Sequence, residues 1–155
     1  VLYTPEYVKI PYPGGDVDPR KGVCTDVIIR TYREMNIDLQ KLVHEDMKAN
    51  FDKYPKIWGL KKPDTNIDHR RVPNLQVFFS RFGEVKKISD NDEDYRPGDS
   101  VTWDLGNNTP HIGIVLDEKT LIGKRPLIFH NVGFGQVKED FLFKAKITGH
   151  YRYKP

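Results

Sequence analysis

The sequence predicts an α+β fold in which N-terminal helices pack on a C-terminal antiparallel β-sheet. Three observations predict it. Apolar residues recur at helical spacing only in the first half of the chain, up to Gly83. After Gly83 the apolar runs are β-branched or aromatic, and each is bounded by turn residues. Helices first and consecutive strands after them is the order of an antiparallel sheet, not of an alternating parallel one. At 155 residues the chain fits one domain, 1–155, with room for a real hydrophobic core.

The elements follow in order. Residues 1–21 are rich in Pro and Gly, contain IPYPGGDVDP, and read as an irregular lead-in. From Val23 the residues Val23, Val27, Ile28 and Met35 recur at three- and four-residue spacing, so a helix is expected after Gly22, ending near Asn36. Asp38 is placed to cap a second helix whose apolar face is Leu39, Leu42, Val43 and Met47. Residues 50–71 hold Pro55, Gly59 and Pro63 and read as a long ordered loop, a kind of segment that often carries function. A third helix is expected from Pro73 to Phe82, with Pro73 in its first turn and Gly83 as its stop. Strands are expected at 84–88, at 100–105 after the Pro97-Gly98-Asp99 turn, and at 111–116, 127–132 and 147–153, with 107–110 as a hairpin loop. Alternation in the last strand puts Tyr151 and Tyr153 on one face, in the core.

Composition excludes several classes of function. Aromatic residues reach 12%, which argues against disorder, and the mean hydropathy is −0.63. No stretch of about 18 apolar residues exists, so no membrane span is expected. The net charge of +3, from 25 Lys+Arg against 22 Asp+Glu, is too balanced to indicate nucleic acid. The single cysteine, Cys24, excludes an internal disulfide and a Cys-rich zinc module. Asp90, Asp92 and Asp94 have the spacing of a calcium loop, but Tyr95 stands where that loop needs Gly and Val101 where it needs Glu. Neither a metal nor a cofactor is expected.

Candidate chemistry centres on Cys24. A cysteine where a loop turns into a helix feels free backbone N–H groups and the positive end of the helix dipole, and both favour the nucleophilic thiolate. His111 opens one expected strand and His130 sits near the end of the next. Neighbouring antiparallel strands bring such ends together, which yields a nucleophile, a base and a residue that orients the base. A lone cysteine is most often a small buried hydrophobe. Position sets these three residues apart, since each lies at an element boundary. Zinc held by Cys24, His111, His130 and a carboxylate lacks any supporting HxxxH or CxxC spacing. Asp26 is either an anchor for the loop holding the site or an ordinary first-turn carboxylate. Asp68, His69, Arg70 and Arg71 form either an ion-pair cluster or a substrate clamp, because Arg forks suit carboxylates. His150 reads as structural, and His44 as a surface residue of the second helix.

The same residues carry a family resemblance. GVCTDVIIRTYRE, PGDSVTW, HIGIVLD and LIFHN follow in that order. Together they resemble the NlpC/p60 superfamily of papain-like cell-wall peptidases, and within it an uncharacterised bacterial branch marked by VCTD, NIDHRR, HIGIV and ITGHYRY. The resemblance runs from Tyr12 onward. It implies a papain-like fold in which Cys24 is the nucleophile, His111 the general base and His130 the third residue. It implies peptidoglycan stem peptides as substrate, cut between stem residues or at the sugar–peptide amide. Tyr12, Asp26, Asp68, Arg70 and Arg71 would then bind substrate, the arginines through stem-peptide carboxylates. Two departures bear on the cleft and the bond cleaved: Val23-Cys24-Thr25-Asp26 replaces Asp-Cys-Ser-Gly, and Tyr12 stands one residue closer to the Gly14-Gly15 pair. The resemblance further implies a monomer in the cell envelope, periplasmic or secreted, with any signal peptide outside the given chain. A non-catalytic wall-binding module and a cysteine acyltransferase are the competing expectations; the polar composition speaks against the lipid-sized pocket of the latter.

Overall fold

The computed structural model describes residues 2–3 and 5–154. Residues 1 and 4 of the lead-in fall outside them. Its first half holds three helices: α1 Cys24–Arg33, α2 Leu39–Ala49 and α3 Val72–Phe82. α1 ends earlier than expected. Asn36 takes a left-handed conformation (φ 61°), and Met35 is 55% exposed instead of extending the apolar face. Asp38 caps α2 as its sequence position suggests, accepting the Gln40 N–H. α3 stops at Gly83 for a packing reason, since a Cβ there would lie 2.9 Å from the Arg152 carbonyl oxygen. Between α2 and α3 the loop is ordered by two single 3-10 turns, Phe51–Lys53 and Asp68–Arg70. The lead-in is not wholly irregular: β1 (Leu2–Tyr3) pairs in parallel with β2 (Lys21–Gly22).

The second half is one antiparallel sheet of β3 (Glu84–Val85), β4 (Ser100–Asp104), β5 (Pro110–Lys119), β6 (Pro126–Asn131), β7 (Gln136–Glu139) and β8 (Lys146–Arg152). Its spatial order is β3-β8-β4-β5-β6-β7. β7 has no counterpart among the expected strands. Gln136-Val137-Lys138-Glu139 holds one apolar residue and sits at the sheet edge, so burial left no alternation to read.

The sheet is covered on both faces. Ile112 and Ile114 of β5 pack with Ile28, Ile29, Tyr32, Leu75 and Phe79 of the helices, joined by Tyr151 of β8 with Tyr153 against it. On the opposite face Val101, Trp103, Val115 and Ile128 pack under Phe141 and Leu142. Trp103 is fully buried, and its indole N–H donates to the Leu142 carbonyl at 2.9 Å. Burying an apolar side chain of this kind is worth roughly 1.5–3 kcal/mol, so two such layers fix β5 and β6 firmly. Those are the strands that carry the two site histidines. No helix among the described residues is long and apolar enough to cross a membrane.

Candidate active site

The site is built from the start of α1. Val23 is extended (φ −121°) and has no capping side chain of its own. Asp26 supplies the cap, accepting the Val23 N–H at 2.7 Å. The same carboxylate takes a bidentate pair from Arg70, Nε to Oδ1 at 2.9 Å and Nη2 to Oδ2 at 2.8 Å. Both side chains are almost wholly buried. Thr25 Oγ1 donates to the Arg70 carbonyl at 2.9 Å. The 3-10 turn of residues 68–70 is thereby locked onto the first turn of α1, which sets the position of Cys24.

The Cys24 thiol is buried, with the backbone N–H groups of Ile112, Thr25 and Cys24 itself directed at it. Burial pushes it up to about 11, outweighing those N–H groups. The resting site therefore holds a thiol, not the thiolate expected from the helix terminus. The N–H groups at the helix start do favour the thiolate, but desolvation is the larger effect here.

His111 opens β5 and packs against Trp103 and Phe141. Its Nε2 lies 2.8 Å from Nδ1 of His130 on β6. His130 Nε2 in turn lies 2.8 Å from Oε1 of Glu139 on β7. Burial, helped by the charge of His130, pushes His111 down to about 3. His130 is also lowered by burial, with Glu139 opposing the shift. Gly113 makes this pairing possible: a Cβ there would lie 2.6 Å from Ile128 Cγ2 and 3.1 Å from His130 Cβ. The His-Ile-Gly order thus places an imidazole and, two residues on, the space its partner needs.

The thiol meets the N–H of Ile112, one residue beyond His111. It makes no hydrogen bond to the His111 ring in this resting arrangement. Hydrogen bonds of this kind are often long before substrate binds. Cys24 opens into a cleft of about 740 Å³ whose wall also includes Trp103 and Pro110, the neighbours of His111 across the ladder and along the chain. Cys24, His111 and His130 therefore lie at one end of the sheet, Cys24 in the helix-side layer and the two rings with Trp103 and Phe141.

The expected substrate residues divide. Arg71 lines the cleft, its guanidinium 4.3 Å over the Trp58 ring, and its Nη1 has no hydrogen-bond partner. Asp26 and Arg70 are corrected to a structural pair: Arg70 also reaches the cleft wall, but its Nε and Nη2 are spent on the Asp26 carboxylate, which in addition accepts the Val23 N–H. Asp68 is also corrected. It is buried away from the cleft wall, accepts the Asp64 N–H, and is pushed up to about 6 by burial. Tyr12 packs edge-on against His44, with ring centroids 4.9 Å apart. The Gly14 and Gly15 N–H groups that follow donate to Asp38 and Gln40. That motif builds the start of α2 and does not line the cleft. His150 is buried between Asp99, 2.6 Å away, and the Tyr95 ring, tying the Pro-Gly-Asp turn to β8. Trp58 and Glu139 were not singled out in the sequence. Trp58 is one aromatic in a long loop, and Glu139 lies on the unrecognised edge strand. Among the described residues no cluster of three or more His, Cys, Asp or Glu is placed to hold a metal ion.

Fold and site together define an α+β domain with a helix-start cysteine at a cleft and a buried, strand-borne histidine pair. The chain belongs to the family described as a domain of unknown function (DUF1287), whose model matches residues 1–153. It is 53% identical over 153 residues to the uncharacterized protein YijF of Escherichia coli (strain K12), a match spanning 99% of this chain and 74% of that protein. No solved structure matches. The resemblance to NlpC/p60 is corrected by these findings, since the family that matches nearly the whole chain is DUF1287. Short motifs at helix and strand starts suggested the wider superfamily, and such motifs arise wherever the same local geometry is needed.

Proposed function

We propose that the protein is a cysteine hydrolase that cleaves an amide bond in a carboxylate-bearing peptide, with peptidoglycan stem peptides of the cell envelope as the substrate class. The observation that carries the reading is the 2.8 Å His111–His130 pair at the start of β5 and the end of β6, together with a helix-start thiol that opens into a cleft. In the proposed reaction His111 accepts the Cys24 proton as sulfur attacks the amide carbonyl carbon. The backbone N–H of Cys24 at the helix start donates to the developing oxyanion, a contribution of roughly 3 kcal/mol. The C–N bond breaks as the leaving amine takes the proton back from His111, leaving a thioester. Water then attacks the thioester, giving its proton to His111, and releases a carboxylic acid and the thiol. Arg71, stacked on Trp58 with a guanidinium nitrogen unpartnered, supports a substrate carboxylate in the cleft.

One observation favours a second reading, a module that binds without cleaving: the resting thiol is protonated and is not hydrogen-bonded to His111. Digestion of purified peptidoglycan, with mass spectrometry of the fragments, separates the two. Hydrolysis is expected, with at least about a thousand-fold loss in Cys24→Ala. Undiminished cleavage by Cys24→Ala refutes the mechanism, and binding without cleavage by the wild type selects the module. Arg71→Ala is expected to raise KM several-fold with kcat little changed; a fall in kcat alone removes Arg71 from substrate binding.

A further inference from the structure

We infer that Glu139 is a positioning residue that fixes the tautomers of both histidines and so leaves Nδ1 of His111 bare, the form the proposed general base requires. The inference rests on the cysteine-hydrolase reading and deepens it. It follows from proton counting along two contacts of 2.8 Å each, His111 Nε2 to His130 Nδ1 and His130 Nε2 to Glu139 Oε1. A neutral imidazole has one N–H and one lone pair, whereas an ionised carboxylate only accepts.

Two arrangements of the neutral pair are available. In the first, His130 carries its proton on Nε2 and donates it to Glu139. Its Nδ1 is then a lone pair that accepts the Nε2–H of His111, and His111 is left with a bare Nδ1, the form that can take a proton from a thiol. In the second, His130 is protonated on Nδ1 and donates to His111. His130 Nε2 then turns a lone pair toward a carboxylate oxygen, two acceptors face to face, and His111 carries its proton on Nδ1, where a base is needed. Only the first arrangement matches a donor with an acceptor at both contacts. The selection originates at Glu139, two side chains away from the sulfur.

The architecture suits this role. Glu139 is paired with Ile128 in the ladder, and Ile128 shares a face with His130, so the carboxylate reaches the ring from the adjacent strand. His130 is fully buried, while the Glu139 side chain is 37% exposed. The other oxygen, Oε2, faces Lys144 Nζ at 3.7 Å, a weaker contact that leaves Oε1 to His130. The buried relay therefore ends in a carboxylate at the protein surface.

The test is the nitrogen spectrum of the imidazoles in histidine-labelled protein, which reports tautomers without needing turnover. In the wild type, His111 and His130 should each be protonated at Nε2. Glu139→Ala should leave His111 as a mixture of both tautomers, with the His69 and His150 signals unmoved as evidence of an intact fold. Glu139→Asp, which restores an acceptor-only group, should recover most of the native tautomer. In the hydrolysis assay Glu139→Ala should lower kcat about 10- to 100-fold with KM little changed, and Glu139→Asp should regain part of that loss. A wild-type His111 protonated at Nδ1, or a His111 tautomer unchanged in Glu139→Ala, overturns the inference. A tautomer that shifts as described in a protein that hydrolyses nothing supports the role of Glu139 and removes the hydrolase reading instead.

Discussion

Removing the Asp26 carboxylate is the sharpest test of how the nucleophile is held. Asp26→Ala leaves the Arg70 guanidinium buried with its Nε and Nη2 unpartnered, where the native pair sits at 2.9 and 2.8 Å and is almost inaccessible to water. Breaking a buried pair from one side costs about 3–5 kcal/mol. The same change frees the Val23 N–H from its 2.7 Å bond and uncaps α1, which costs about 1 kcal/mol more. The sum, about 4–6 kcal/mol, corresponds to a fall in Tm on the order of 10–20 °C for a domain of this size. Arg70→Ala should cost about 3–5 kcal/mol, since Asp26 keeps the Val23 N–H but loses its countercharge. The double variant removes both buried charges together, so it should be more stable than the sum of the single losses by about 2 kcal/mol or more. Urea unfolding of the wild type, both single variants and the double variant measures all four terms. A loss below about 1 kcal/mol in Asp26→Ala, or strictly additive single losses, would refute the assignment of Asp26 and Arg70 as a structural clamp.

Two further outcomes follow from the buried groups. Asp68 has its native value raised from the ordinary 3.8 to about 6, so the folded state binds that proton more tightly than the unfolded chain does. The penalty is absent below about pH 4, grows between the two values and is complete above about pH 6, where it reaches roughly 3 kcal/mol. Asp68→Asn, which keeps an oxygen for the Asp64 N–H, should therefore stabilise the protein at pH 8 and have little effect at pH 3.5; urea midpoints that shift equally at both would contradict this. Alkylation of Cys24 by iodoacetamide should be slow at pH 7 and rise about tenfold per pH unit through pH 9.5, because the thiol lies at about 11. A rate that levels off by pH 8 would show that the resting site stabilises the thiolate after all.

The fold was legible in the sequence wherever burial wrote a period. The Leu39, Val43 and Met47 stripe gave α2, and the β-branched HIGIV run gave β5, because those residues face a core. β7 was not legible, since an edge strand with one apolar residue has no face to advertise. The positions of the thiol and the two imidazoles at element boundaries were legible because such boundaries are marked by turn residues. The substrate residues were less so. Asp26, Arg70 and Arg71 are equally charged on paper, and only packing decides that Asp26 and Arg70 neutralise each other while Arg71 is left stacked on a tryptophan. Tyr12 was misplaced for a related reason: a Tyr before two glycines looks like a cleft wall, but those glycine N–H groups are used by Asp38 and Gln40 to start α2.

The resting site has a consequence for how the proposed chemistry runs. Burial pushes the thiol up and His111 down, so moving the proton from one to the other before substrate arrives is uphill. In the proposed reaction a preformed thiolate–imidazolium pair is therefore disfavoured at rest. Proton transfer must accompany carbon–sulfur bond formation, when the developing oxyanion at the helix start gives the imidazolium a countercharge that the empty site lacks. The tautomer of His111 then matters more than its basicity, since it can take a proton during attack only through a bare nitrogen. A chain of hydrogen bonds running from His111 through His130 to a carboxylate provides for that requirement, and it does so without raising the reactivity of the thiol at rest.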